Sequence, residues 1–351
     1  MKTEIVIGGK KIGSANPCFI IAEMSGNHNM DFERAKTMIR EVKKAGADAV
    51  KLQTYTADTI TLRSDKSYFD TATDCLWGGM KLYQLYEKAY TPWEWQPKLK
   101  EVADEEGILL FSSPFDGTAV DFLEKMDVPA YKIASYEIGD IPLIEKAART
   151  GKPIILSTGI ARLSDIDLAV RTCEKAGNYN IILLKCTSEY PAVYPDMNLN
   201  MISGLKQMFG CPVGLSDHSM GDEVDIAAVA VGADVIEKHF TLKRSDGGVD
   251  SEFSMEMEEF AAMVRRIRNV EAAMGQSAYR LTAEQDQARV GARSLFAAEG
   301  IKEGEMFTPQ NVRSVRPGIG LHTKYYNEII GKRARKDIEF AEPLQMEDVE
   351  W

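Results

Sequence analysis

Two lysines stand where lysine is costly. Lys51 lies inside the run Ala49-Val-Lys-Leu-Gln-Thr54 and Lys132 inside Ala130-Tyr-Lys-Ile-Ala-Ser135. An ammonium in a buried strand needs an anion to meet it; the alternative is a side chain that snorkels to a strand edge. Similar apolar runs end in hydroxyls: Ser112 and Ser113, Ser135, Ser157, Thr187 and Ser188, and Ser216. Lysine as point charge with serine hydroxyls as donors is the chemistry of an oxyanion cradle for phosphate or carboxylate. The chain carries 42 basic and 53 acidic residues, a net charge of −11. Local focusing at such a cradle must therefore overcome the overall field.

Histidine is scarce and suggestively placed. Of His28, His218, His239 and His322, the middle pair ends two consecutive apolar runs, Pro212-Val-Gly-Leu-Ser-Asp217 and Asp234-Val-Ile-Glu-Lys-His239. Two neutral imidazoles side by side at one rim are candidate ligands for a divalent metal with open positions. Ligand type alone leaves manganese, zinc and others open. Asp217 either supports a histidine or caps its strand. Glu23 ends the first run, Gln53 and Glu237 lie near the ends of theirs, and Glu137 and Asp250 follow later ones; Glu23, Glu137 and Asp250 are each a candidate base or sugar ligand. Arg316, in Arg316-Pro-Gly-Ile-Gly-Leu-His322, is either a functional guanidinium on a glycine-flanked loop or an ordinary turn arginine.

These residues need a scaffold that brings strand ends together. Eight apolar, β-branched runs recur at 18–23, 49–54, 108–113, 130–135, 153–158, 181–187, 212–217 and 234–239. Near-continuous apolar strands are buried on both faces, as in a parallel sheet. Helical stripes alternate with them, as at 32–45 (Ala35, Met38, Ile39, Val42), 164–176 and 255–274, each followed by glycine. Eight alternating units predict an α/β fold, a TIM (β/α)₈ barrel over residues 1–280, with reactive groups at the strands' C-terminal ends. A hairpin around Gly8-Gly9 precedes it and is placed to plug the barrel's bottom. Residues 62–95 are longer than a barrel loop needs and rich in Trp and Tyr, a segment suited to building or covering a site. Past a linker at 281–290, residues 291–351 read as a small β-rich domain. There Ile301–Val312 echoes Ile338–Val349, which suggests two similar halves with a marginal core.

Composition excludes other classes. Hydrophobic residues are 44% and charged ones 27%, an ordinary globular balance. No apolar run approaches the roughly 20 residues of a membrane helix, and the first residues lack a signal-peptide core. Five scattered cysteines (Cys18, Cys75, Cys173, Cys186, Cys211) read as reduced thiols. No basic stretch points to nucleic acid. The expectation is a cytoplasmic protein with neither nucleic-acid nor membrane partners.

Ile21-Ala-Glu-Met-Ser-Gly-Asn-His28, Tyr131-Lys-Ile-Ala-Ser135, Ile155-Leu-Ser-Thr-Gly159, Gly214-Leu-Ser-Asp-His218 and Glu237-Lys-His-Phe240 together resemble the sialic acid synthase family. The stretch around Arg316 resembles that family's antifreeze-like (SAF) domain, so the likeness runs from Phe19 to Val349. Lys51-Leu-Gln-Thr-Tyr-Thr56, Leu76-Trp77, Lys81-Leu-Tyr-Gln-Leu-Tyr86, Thr91-Pro-Trp-Glu-Trp95 and the stretch from Ser314 to Lys324 are most similar to the branch that makes pseudaminic acid. The resemblance implies condensation of phosphoenolpyruvate with an open-chain N-acylated amino sugar, releasing phosphate. It implies that Lys51, Ser113, Lys132, Ser135, Ser157, Ser188 and Ser216 hold phosphoenolpyruvate. Some members carry Asn at position 188. His218 and His239 match metal ligands, with manganese the usual ion and magnesium or cobalt as alternatives. Glu23, Glu137 and Asp250 match carboxylates of the reacting centre, and Gln53 and Tyr190 match sugar contacts. Arg316 matches an arginine that reaches the sugar from the partner subunit of a homodimer with swapped SAF domains. Rival readings are a neuraminate or legionaminate branch, a metal-dependent aldolase, and a non-catalytic anionic-sugar binder.

Overall fold

The computed structural model describes residues 1–351 except 14–15 and 73–75; Cys75 thus lies outside the described residues, while Cys18, Cys173, Cys186 and Cys211 are free and buried. The chain forms two compact units, Met1–Gly275 and Gln276–Trp351. The segment read as a linker instead holds short helical turns at Ala283–Gln287 and Ala288–Gly291, within the second unit.

The first unit begins with a hairpin, β1 (Glu4–Ile7) and β2 (Lys10–Gly13), turned on Gly8 and Gly9 at φ 52° and 84°. Its Ile5, Ile7 and Ile12 are fully buried, and Gly8 lies so close to Leu109, at the start of a barrel strand, that a Cβ would meet it at 2.3 Å. The hairpin therefore closes the strands' N-terminal end, as expected.

Eight parallel strands follow: β3 (Phe19–Glu23), β4 (Ala49–Thr54), β5 (Leu109–Pro114), β6 (Tyr131–Ile133), β7 (Ile154–Ser157), β8 (Ile181–Cys186), β9 (Val213–Asp217) and β10 (Val235–Thr241). Each pairs with its chain neighbour, and β10 pairs back onto β3, with His239 opposite Glu23. That last ladder makes a closed barrel. Residues of β3, β7, β9 and β10 are buried on both faces, which is why these runs lack polar alternation.

Helices cover the barrel. The one at Phe32–Lys44 starts where Asp31 accepts the Glu33 and Arg34 amides and buries Ala35, Met38, Ile39 and Val42; Gly46, at φ 95°, turns the chain out of it. Two differ slightly from expectation: Leu163–Lys175 begins one residue early, and Met257–Met274 leaves Met255–Glu256 as a short strand beside β10. Between β4 and the covering helix Gln96–Glu106 lies an insertion with helical turns at Ala57–Ile60, Ser67–Phe69 and Leu82–Ala89. The expected long loop is thus partly helical.

The second unit has its own small core of Leu295, Ile301, Phe307, Val312, Leu321, Ile338, Leu344 and Val349. An antiparallel pair, Ser294–Ala297 with Val312–Val315, is its longest sheet. The internal echo has a physical basis: Ile301 and Ile338 exchange backbone hydrogen bonds (2.9 and 2.8 Å), so the halves pair on each other. Their local bonds repeat. The Lys302 amide donates to Glu305 as the Glu339 amide does to Glu342 (both 2.9 Å), and Thr308 to Asn311 as Gln345 to Asp348 (both 2.7 Å).

Candidate active site

Side chains two residues apart on a strand share a face. Lys51 with Gln53, Ser216 with His218, and Glu237 with His239 are therefore presented together at the C-terminal ends of β4, β9 and β10. They line one cavity of about 500 Å³ with Ser25, Lys132, Ser135, Glu137, Ser157, Tyr190 and Asp250.

Its floor is a buried charge cluster. The Lys51 ammonium lies 2.6 Å from Glu23, opposite it in register, and 3.9 Å from Glu237; Lys132 lies 3.8 Å from Glu237. The lysines so have counter-charges within the chain, in addition to any ligand. Glu237 is the residue whose role sequence reasoning missed. Its parity with His239 was the available signal. Burial weakens the Lys51 charge, but Glu23 and Glu237 hold its pKa above the ordinary lysine value. For Lys132 burial wins, with Glu237 opposing, and its pKa falls below that value. Burial also lifts the Glu23 carboxyl despite Lys51, whereas Lys132 and Lys51 outweigh burial at Glu237 and hold it low.

Hydroxyls surround this cluster. Ser113 accepts from Lys51 (3.2 Å), and Ser216 donates to Glu237 (3.0 Å). Ser112 points the other way, to Thr54, because it alternates with Ser113. Ser135 accepts from the Gly159 amide (3.0 Å). A Cβ on Gly159 would meet Ser188 at 2.1 Å, Ser135 at 2.8 Å and Cys186 at 3.0 Å, so only glycine leaves that corner open. The buried Ser157 hydroxyl and one oxygen each of Glu137 and Glu237 have no hydrogen-bond partner among the described residues. Unspent buried polar atoms facing a cavity are what a polar ligand would satisfy.

The histidine rings lie 5.3 Å apart, centre to centre. His218 Nδ1 is 3.0 Å from the Thr187 carbonyl, a contact in which Nδ1–H donates; burial pulls the ring's pKa down, but Cys186 and that carbonyl hold it above the ordinary histidine value. His239 Nδ1 has no hydrogen-bond partner among the described residues, and burial followed by the nearby His218 pushes its pKa well down, favouring the neutral imidazole. Among the described residues no three His, Cys, Asp or Glu side chains form a metal cage. What the chain offers is a two-histidine site with Asp250 3.9 Å from His239. Asp217 does not support a histidine. It faces away, accepts from the Ser219 amide and hydroxyl (both 2.9 Å) and binds Lys238, so the strand-cap alternative is the one observed.

Gln53 bridges Glu23 (3.0 Å) and Ser25 (3.3 Å), and Ser25 in turn donates to Asp250. Tyr190 lays its ring on His218 at 4.4 Å, with Trp77 behind it at 5.6 Å. Burial pushes Glu137 up to about 7. His28 is a satisfied structural residue, bonded to Thr91 (3.1 Å) and the Met30 amide (3.1 Å). Arg316 belongs to the second unit, where it is exposed just after the strand Val312–Val315. The other expected site residues all lie in the barrel unit, and Arg316 is apart from them in sequence and in unit.

Residues 38–279 match the NeuB family and residues 292–350 the SAF domain. The pseudaminic acid synthase of Campylobacter jejuni is 48% identical over 330 residues, covering 94% of this chain and 96% of that protein. The pseudaminic acid synthase of Helicobacter pylori is 44% identical over 335 residues, covering 95% and 98%. Among solved structures, an N-acetylneuraminic acid (sialic acid) synthetase from Leptospira borgpetersenii superposes with a TM-score of 0.73 at 36% identity, covering 82% of this chain and 95% of that one.

Proposed function

The chain belongs to the NeuB family, the sialic acid synthases, and on that footing we propose that it is a pseudaminic acid synthase. It condenses phosphoenolpyruvate, 2,4-diacetamido-2,4,6-trideoxy-L-altrose as the open-chain aldehyde, and water to give pseudaminic acid and inorganic phosphate. The observation that carries this reading is the pair of buried lysines facing one cavity with unspent polar atoms around them.

Phosphoenolpyruvate binds as the missing anion. Lys51 and Lys132 supply charge, while Ser113, Ser135, Ser157, Ser188 and Ser216 supply hydroxyls. C3 of phosphoenolpyruvate attacks the sugar's aldehyde carbon, forming the new C–C bond. Positive charge grows at C2, and the carboxylates of Glu23 and Glu237 stabilise it in a site that excludes bulk water. Water adds at C2, and its proton passes by way of a carboxylate such as Glu137 to the former aldehyde oxygen, which took the carbonyl electron pair when the C–C bond formed. The C2–O bond to the phosphate then breaks as the C2 hydroxyl becomes the ketone, and its proton leaves with the phosphate. His218 and His239 would hold a divalent metal, manganese first and magnesium or cobalt as alternatives; bound there, it supplies Lewis-acid polarisation. Gln53 and Tyr190 line the same cavity and contact the sugar, and Asp250 stands with Glu23 and Glu137 among the carboxylates of the reacting centre.

Arg316 is proposed to reach the sugar's N-acyl group from the partner subunit of a swapped dimer. Arg316→Ala and Glu23→Ala chains, each inactive, should regain about a quarter of full activity when mixed, because half the dimers are heterodimers with one intact site. No recovery after demonstrated subunit exchange would sink the swap. The reaction itself is tested by NMR of the product formed from phosphoenolpyruvate and a panel of amino sugars. Pseudaminic acid with stoichiometric phosphate is expected. A product made only from N-acetylmannosamine would overturn the assignment.

A further inference from the structure

Ser25 lies just past the end of β3, 3% exposed, and lines the cavity. Its backbone is left-handed, at φ 47°, a conformation that costs a residue with a side chain free energy. The turn aims both of its polar groups at carboxylates. The amide donates to Glu23 Oε1 at 3.1 Å, and the hydroxyl donates to Asp250, 225 residues further along the chain. The direction of the second bond follows from its neighbour. Gln53 Nε2 is 3.0 Å from Glu23 Oε1 and 3.3 Å from Ser25 Oγ, and an amide nitrogen only donates. The Ser25 oxygen accepts there, so its own hydrogen turns to Asp250.

Asp250 reaches the site from a loop that turns at Gly247 and Gly248, with φ 72° and 140°. The backbone of that loop is tied down by Asn29 on the Gly247 carbonyl (3.0 Å) and Trp77 on the Val249 carbonyl (2.8 Å). Neither bond orients the Asp250 carboxyl. We propose that Ser25 is a positioning residue of the reaction, whose hydroxyl fixes the Asp250 carboxylate beside His239 and in step with Glu23. Because β3 pairs with β10, with His239 opposite Glu23, a residue just past the end of β3 can span the two. The inference rests on the reaction proposed above, in which Glu23 and Asp250 both belong to the reacting centre. Misplacing a reacting group by about 1 Å can cost about a hundredfold in rate.

The test measures phosphate release by the full chain with phosphoenolpyruvate and 2,4-diacetamido-2,4,6-trideoxy-L-altrose. Ser25→Gly removes the hydroxyl but keeps the amide and the left-handed turn. Its kcat should fall about tenfold to a hundredfold while the KM for phosphoenolpyruvate stays put. In an Asp250→Ala chain, which has no carboxylate left to hold, Ser25→Gly should lower kcat no further. A serine that merely supports the fold would lower kcat equally in both backgrounds, and that result would overturn the inference. So would a Ser25→Gly chain with the parental kcat beside an impaired Ser25→Ala chain, because the turn and not the hydroxyl would then carry the effect. Both results leave the reaction standing. An unaltered chain that releases no phosphate with any amino sugar would overturn the reaction, and this inference with it.

Discussion

Strands β9 and β10 carry buried charge on both faces, and the two faces differ in how that charge is paired. On the outer face Lys238 meets Asp217, Asp225 from the helix Glu223–Ala230 (3.3 Å), and the Ser219 carbonyl (2.7 Å), with all three charged side chains 0–1% exposed. The Lys238 ammonium is thus in contact with both carboxylates, though neither Asp225 oxygen has a hydrogen-bond partner among the described residues. On the inner face Glu237 sits 3.8 and 3.9 Å from its lysines and leaves one oxygen unpartnered among the described residues, as His239 leaves Nδ1. Depth is equal on the two sides, so burial does not separate structure from function here. Access does: Lys51, Lys132, Glu237 and His239 line the cavity, whereas Lys238, Asp217 and Asp225 do not and lie between the two strands and the helix Glu223–Ala230.

The comparison can be broken from either side. The largest effect expected is on the inner face. His239→Ala should abolish turnover and also abolish the heat of Mn²⁺ binding in a calorimetric titration, because a two-histidine site losing one ligand retains little affinity. Full activity in thoroughly metal-stripped protein would refute the metal assignment. Next comes the outer face. Lys238→Met leaves two buried aspartates without their cation and should cost about 3–5 kcal/mol in urea unfolding. A loss below about 1 kcal/mol would show that the outer cluster does not clamp the two strands. Lys132→Ala should behave in the opposite way. Its ammonium already carries a burial penalty, so stability should change little. The KM for phosphoenolpyruvate should rise roughly tenfold to a hundredfold, the worth of one charge-assisted contact. An unchanged KM would remove Lys132 from the cradle.

The same contrast explains what the sequence could reveal. Eight strands, their closure and the rim positions of Lys51, Lys132, His218 and His239 follow from apolar runs and their polar ends. The side of the barrel a residue faces does not follow from the run itself, because strands buried on both faces lack the alternation that marks an inside. Lysine within a strand is therefore an ambiguous signal. Lys51 and Lys132 line the cavity; Lys185 bonds the Cys186 carbonyl and Thr187 (2.8 and 3.0 Å), and Lys238 lies in the outer cluster. Parity against a histidine on the same strand resolves such cases. It puts Lys238 opposite His239 and Glu237 beside it. Asp217, adjacent to His218 in sequence, faces away for the same reason. The insertion after β4 is legible as long and aromatic. Its role as one wall of the cavity depends on short helices that no strong periodicity announces.

The smallest effect concerns Glu137, which shares features of both faces. It lies just past β6, in the 3₁₀ turn Ser135–Glu137, lining the cavity, half-buried and with one oxygen unpartnered among the described residues. Burial raises its carboxyl to about 7, against an opposing pull from Lys132. A carboxyl whose folded pKa is raised stabilises the fold while it is protonated and loses that contribution as pH climbs from the unfolded value, near 4.5, through 7. Glu137→Gln removes this dependence. The variant should match the parent near pH 5 and become the more stable of the two by pH 8. A tenfold change in proton affinity is worth about 1.36 kcal/mol, and discounting for partial exposure leaves a gap on the order of 1–2 kcal/mol. Thermal melts at the two pH values measure it. A gap that stays constant with pH would mean that Glu137 is already ionised in the folded chain. The proton it is proposed to accept would then have to go to another carboxylate of the cavity.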